Sequence, residues 1–177
     1  MGVREDFERC IARGGVVLFP ADTVYGLACD PHDEAAVRRL YALKGRAPDK
    51  PAATMYFSVD ALPPLPPRVA AAARALLPGP VTLVVGPLGL RVPDLPLLGG
   101  AAVAVLQSSA NHAGGPEARR LSDVPDDIRR GADLVIDGGE LPGTPSTVLD
   151  LTRYEDDGTW TVLREGAVPT ASLAAVL

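Results

Sequence analysis

Four short polar runs stand where apolar runs end, and their side chains are the ones in this chain that could do chemistry. Lys44-Gly45-Arg46-Ala47-Pro48-Asp49-Lys50-Pro51 gathers three cations within seven residues, with glycine and proline to bend the backbone. An arginine fork beside a movable ammonium suits a polyphosphate. A solvated basic loop at a helix C-terminus would present Lys44 and Arg46 equally well, but accounts poorly for Lys50. Ser108-Ser109-Ala110-Asn111 offers hydroxyl and amide groups to phosphate or ribose directly after a strand, among small neighbours that admit close backbone approach; an Asx turn is the plainer reading. Asp22, Thr23 and Tyr25, in Pro20-Ala21-Asp22-Thr23-Val24-Tyr25-Gly26-Leu27, could grip a small zwitterion or simply form a turn. Ser146 and Thr147, with Arg164 downstream, could meet phosphate. Arg91 lies in an apolar setting and needs an anionic partner, either a ligand carboxylate or a structural aspartate.

Other chemistries find less support. No glycine-rich stretch leads into Lys-Ser or Lys-Thr, so there is no Walker loop. His32 and His112 are far apart, and Cys10 and Cys29 have no metal or redox spacing, so no metal site is expected. Without a Gly-x-Ser-x-Gly elbow or a Ser-His-Asp arrangement, positioning and charge neutralisation fit better than covalent catalysis. Residue chemistry alone therefore reaches a binder of a phosphorylated or anionic ligand.

The elements that must position these groups follow from the apolar pattern. At 177 residues, 47% of them hydrophobic, residues 1–177 are expected to form a single domain. Val3, Phe7, Cys10 and Ile11 predict a helix ended by Gly14-Gly15, and Val16 to Phe19 a buried strand. A second helix is expected from the Asp33 N-cap, burying Ala36, Val37, Leu40 and Tyr41 and leaving Lys44 and Arg46 on an exposed loop. Ala53 to Val59, Val81 to Val85, Ala102 to Leu106 and Leu134 to Ile136 read as strands, and Val69 to Leu77 as a helix. Val148 to Leu151 and Trp160 to Leu163 read as a hairpin closed through Asp156-Asp157-Gly158, with a short helix from Thr170 or Ser172. Strands and helices mix without a regular repeat, which predicts a mixed α/β (α+β) sheet.

The net charge of −5, from 17 basic and 22 acidic side chains, argues against a nucleic-acid binder over the whole surface but permits a local basic cleft. With no signal-like N-terminus and no long apolar run, a soluble cytoplasmic protein is expected, away from any membrane.

Taken in order, PADTVYGLACD (20–30), KGRAPDKP (44–51), LLPGPVTLVV (76–85), LRVPD (90–94), SSAN (108–111), DLVIDGG (133–139), PSTVLDLT (145–152) and LREGAV (163–168) resemble the YrdC-like threonylcarbamoyl-adenylate synthase family. The resemblance spans almost the whole chain and matches the family's short, single-domain form. It implies a twisted mixed sheet around a large concave cavity. It also implies a nucleotidyltransferase making threonylcarbamoyl-AMP and pyrophosphate from L-threonine, bicarbonate and ATP with Mg2+, for N6-threonylcarbamoyladenosine in tRNA. By resemblance, Lys44, Arg46, Ser109 and Asn111 are the catalytic set at the phosphates, joined there by Thr82, Ser146 and Arg164. Thr23, Tyr25 and Arg91 are the threonine site, and Lys50 adds charge at the rim. A downstream transferase complex and an RNA or tRNA contact are the implied partners. Two alternatives stay open: a non-catalytic RNA- or nucleotide-binding paralogue, motivated by Arg119-Arg120 and Arg129-Arg130 and by the altered strand at 52–57, and a carbamoyl-adenylate enzyme with another carbamoyl source.

Overall fold

The helical spacing near the N-terminus yields α1 (Val3–Ala12), which buries Phe7 and Ile11, in a computed structural model that describes residues 2–47 and 52–177. The apolar run after Gly14-Gly15 becomes β1 (Val17–Pro20), which folds back antiparallel on β2 (Tyr25–Cys29). Every residue of both strands is buried, because helices cover both faces. Val17, Phe19 and Ala28 pack with Phe7 and Ile11 of α1 on one side. Leu18, Tyr25, Leu27 and Cys29 pack on the other with Ala36 and Leu40 of α2 (Glu34–Lys44) and Ile128 of α4 (Asp126–Gly131).

The remaining strands are β3 (Ala53–Met55), β4 (Val81–Val85), β5 (Leu88–Arg91), β6 (Val105–Ser109), β7 (Leu134–Val135), β8 (Thr147–Asp150) and β9 (Thr161–Arg164). Together, among the described residues, they form one mixed sheet ordered β7-β1-β2-β6-β3-β5-β4-β8-β9, parallel at β1–β7, β3–β5 and β4–β8 and antiparallel elsewhere. The half containing β5, β4 and β8 is covered on one face only. Val81, Leu83, Leu90 and Leu149 point there, into a core shared with Val69, Ala72 and Ala73 of α3 (Pro67–Leu76), Tyr154 of α5 (Tyr154–Asp157) and Leu173 of α6 (Thr170–Ala174). The alternation of a strand sends Thr82, Val84, Arg91 and Val148 to the opposite face, and that face is hollow.

Three expectations shift. The strand expected over 53–59 stops at Met55, because Ser58 accepts from the Asp60 amide (3.2 Å) and turns the chain into a 3-10 turn, Val59–Ala61. The strand expected over 102–106 begins at Val105 and continues through Ser109, so Ser108 and Ser109 are themselves strand residues. The hairpin of β8 and β9 is closed by α5, one helical turn, rather than by a tight turn alone; Gly158 ends that turn with φ 76°. β2 and β5 had no counterpart in the sequence reading.

Candidate functional site

The hollow face holds a cavity of about 320 Å³, within the size range of small-molecule sites. Among the described residues, its wall carries the guanidiniums of Arg46, Arg91 and Arg164, the hydroxyls of Thr23, Thr82, Ser108, Ser109 and Ser146, and one carboxylate, Glu117. Thr82 and Ser146 share a 2.9 Å hydrogen bond, and Arg164 donates to the Ser146 carbonyl at 2.7 Å. Three cations and a row of hydroxyls, set on strands and on the segments that join them to neighbouring elements, can neutralise and orient a polyanion.

α2 delivers the cationic corner. The Asp33 carboxylate accepts from the Ala35 and Ala36 amides, and Gly45 ends the helix in the left-handed region at φ 58°. Lys44, in the last turn, is not on an exposed loop but buried, with its ammonium against the SSAN segment. It donates to the carbonyls of Ser109 and Asn111 (2.7 Å to the latter) and to Asn111 Oδ1 (3.1 Å). Burial and the neighbouring Arg46 push its pKa down to about 8, opposed by Glu117. Asn111 Oδ1 also accepts from Ser109 Oγ (2.6 Å), and Asn111 Nδ2 donates to Gly115 O (2.6 Å). Arg46 Nη1 donates to Ser108 Oγ at 3.1 Å. Lys44, Arg46, Ser109 and Asn111 thus meet at one corner, with Lys44 behind the wall and Arg46 and Ser109 on it. Lys50 lies outside the described residues.

The second corner is built on Arg91, whose side chain is 5% exposed. Its Nη2 donates to Asp22 and to Thr23 Oγ1 (2.8 Å), and its Nη1 to Gln107 Oε1 (3.2 Å). Burial lowers the Arg91 pKa and Asp22 opposes that shift. The structural aspartate left open by the sequence is therefore present, while Arg91 still borders the cavity.

Two residues require correction. Tyr25 does not line the cavity; it is fully buried under α2, and its hydroxyl meets Asp137 Oδ1 (2.9 Å), the Gly139 carbonyl (2.9 Å) and the Gly138 amide (3.0 Å). Its place on β2 turns it away from the face that Thr23 reaches. Thr147, next to Ser146, also faces inward: its hydroxyl donates to Val168 O (2.7 Å) and accepts from the Gly166 and Val168 amides, pinning the turn after Arg164.

The family model described as "Telomere recombination" (Sua5/YciO/YrdC) matches residues 9–166. The chain belongs to the Sua5/YciO/YrdC family. A threonylcarbamoyl-AMP synthase from Chromohalobacter salexigens is 35% identical over 85% of this chain and 93% of its own length. One from Pyrococcus abyssi is 31% identical over 94% of this chain; the chain spans only 55% of that relative. The crystal structure of Pyrococcus abyssi Sua5 complexed with L-threonine superposes with a TM-score of 0.85 at 28% identity, covering 97% of this chain and 56% of that one.

Within this Sua5/YciO/YrdC domain, sequence reading missed Gln107 as a partner of Arg91, Ser108 as the partner of Arg46, and Glu117 altogether. Gln107 stood beside a flagged run and Ser108 opened it, though neither partner was foreseen; Glu117, in a loop of small residues, carried no signal. Among the described residues no three His, Cys, Asp or Glu side chains cluster to hold a metal. Arg119 and Arg120 pair with Glu140, and Arg129 with Asp126, so these arginines are engaged with acidic neighbours. No helix among the described residues is long and apolar enough to cross a membrane.

Proposed function

We propose that this chain is an L-threonylcarbamoyladenylate synthase, a nucleotidyltransferase that converts L-threonine, bicarbonate and ATP into threonylcarbamoyl-AMP and pyrophosphate. The observation that carries the reading is a single cavity in which three guanidiniums and a row of hydroxyls share one wall, in a chain related to curated synthases. Threonine's nitrogen bonds to the bicarbonate carbon as water leaves. A carbamate oxygen then attacks the α-phosphorus of ATP, and the bond to the bridging oxygen breaks, releasing pyrophosphate. Arg46 and Arg164, with Thr82, Ser109 and Ser146, hold the phosphates and stabilise the negative charge spread over them during transfer. Arg91 and Thr23 hold the carboxylate of the amino acid. Lys44 and Asn111 act as positioning residues that set Ser109 at the end of β6. Mg2+ enters with the triphosphate, as part of the substrate.

The same reading makes the product an intermediate for tRNA modification in the cytoplasm, handed to a separate transferase complex, with a tRNA contact at the hand-off. Purified protein with Mg·ATP, bicarbonate and L-threonine is expected to release pyrophosphate only when threonine is present. Folded protein giving no threonine-dependent release rejects the proposal, and release with carbamoyl phosphate in place of threonine and bicarbonate transfers it to a different carbamoyl source.

A further inference from the structure

Glu117 is out of place in a cavity built for anions. Among the described residues it is the one carboxylate on a wall that otherwise carries Arg46, Arg91 and Arg164, and its Oε2 is buried without a hydrogen-bond partner. Asp22, by contrast, is engaged with Arg91. A buried, unpaired carboxylate oxygen is costly unless a ligand supplies a donor. A triphosphate cannot, because like charges repel. The ammonium of an amino acid can. The charge of Glu117 also reaches Lys44 on α2 and Arg91 on β5, favouring the protonated form of each. That puts its charge within reach of both corners of the site.

The proposed reaction has a matching need. An α-ammonium has no lone pair, so one proton must leave before nitrogen can bond to carbonate carbon, and each arginine on the wall is only a donor. Lys44 is no substitute, because its hydrogens are directed to three oxygens. Building on the synthase reading, we infer that Glu117 binds the substrate's ammonium and acts as its general base. The carboxylate takes one ammonium proton. The freed nitrogen pair forms the N–C bond as the C–OH bond of bicarbonate breaks. The departing hydroxide leaves as water with a second nitrogen proton, and the proton on Glu117 returns to solvent.

The test is Glu117→Gln, which keeps shape and removes the proton acceptor. Threonine-dependent pyrophosphate release would be followed from about pH 6.5 to 8, alongside the Kd of a non-hydrolysable ATP analogue. The expected variant binds the analogue as the wild type does and has a raised KM for threonine. Its kcat falls about 10²–10⁴-fold and recovers about tenfold per pH unit as hydroxide replaces the side chain. A variant within about threefold of wild type at every pH overturns the role of Glu117 and leaves the synthase reading standing. Loss of analogue binding, or a kcat deficit that pH does not relieve, overturns it in favour of a structural role. A wild type without threonine-dependent release rejects both.

Discussion

Lys44 directs its ammonium at three oxygens of the Ser109–Asn111 segment, and the same burial that positions it weakens its hold on its proton. With a pKa of about 8 against the ordinary 10.5, it is charged at neutral pH and loses that charge in a mildly alkaline range. An amine has two donors for three oxygens, so the segment carrying Ser109 loosens and turnover is expected to decline above about pH 8. Stability runs the other way. Between about 8 and 10.5 the unfolded chain binds more protons at this group than the folded one, so its contribution to stability rises with pH there. Urea midpoints of wild type and Lys44→Met at pH 7 and pH 10 measure this: the wild type gains relative to the variant, and parallel changes exclude the assignment. Arg91 poses the complementary case, a buried cation already paired. Asp22→Ala leaves that guanidinium uncompensated and is expected to cost about 3–5 kcal/mol in urea unfolding. A cost below about 1 kcal/mol would mean that water reaches the pair.

At the scale of the element, α2 is the part of the site most legible in sequence, because its stop signals are local. Asp33 caps it, Ala36, Leu40 and Tyr41 mark its buried face, and Gly45 ends it. What sequence could not supply was the direction of Lys44, since a lysine in a last helical turn reads equally as a partner of the helix dipole. β2 and β5 were illegible for another reason. Each contains a glycine that serves close packing: a Cβ on Gly26 would stand 2.7 Å from Gln107 Nε2, and one on Gly89 3.2 Å from Ala53 Cα. Glycine lowers strand propensity where it is most needed sterically. Missing β2 also left Tyr25 without a face, and on a strand one step of parity decides between cavity and core. Ser146 and Thr147 split in the same way. The cap and the stop make separable predictions. Asp33→Ala is expected to cost about 1 kcal/mol with turnover unchanged. Gly45→Ala forces an L side chain into the left-handed region, costs about 1–2 kcal/mol and also lowers kcat, because it redirects Arg46. Denaturation and steady-state kinetics on both variants test the distinction, and equal kcat in the two would detach Arg46 from the chemistry.

For the whole molecule, the sheet divides into a half centred on β1 and β2, which are buried on both faces, and a half whose second face is the cavity wall, β5-β4-β8, with the end of β6 bordering the cavity between them. A ligand in that cavity touches both halves, through Ser108 and Ser109 on one side and Thr82, Ser146 and Arg164 on the other. It therefore adds contacts that only the native arrangement of the two halves can offer. The chain is acidic, at −5, so the attraction is local to the cavity rather than a property of the surface. Mg·ATP at about 100 times its Kd is expected to stabilise the fold by about 2.7 kcal/mol. For a chain of this size that amounts to a rise in Tm of roughly 5–10 °C. The rise shrinks as salt screens the guanidiniums. Arg164→Ala is expected to remove most of it, whereas Arg119→Ala, which disturbs a surface pair with Glu140, leaves it intact. Should Arg164→Ala retain the full shift while Arg119→Ala abolishes it, the nucleotide sits on the arginine-bearing surface near Glu140, and the cavity between the two halves of the sheet serves some other ligand.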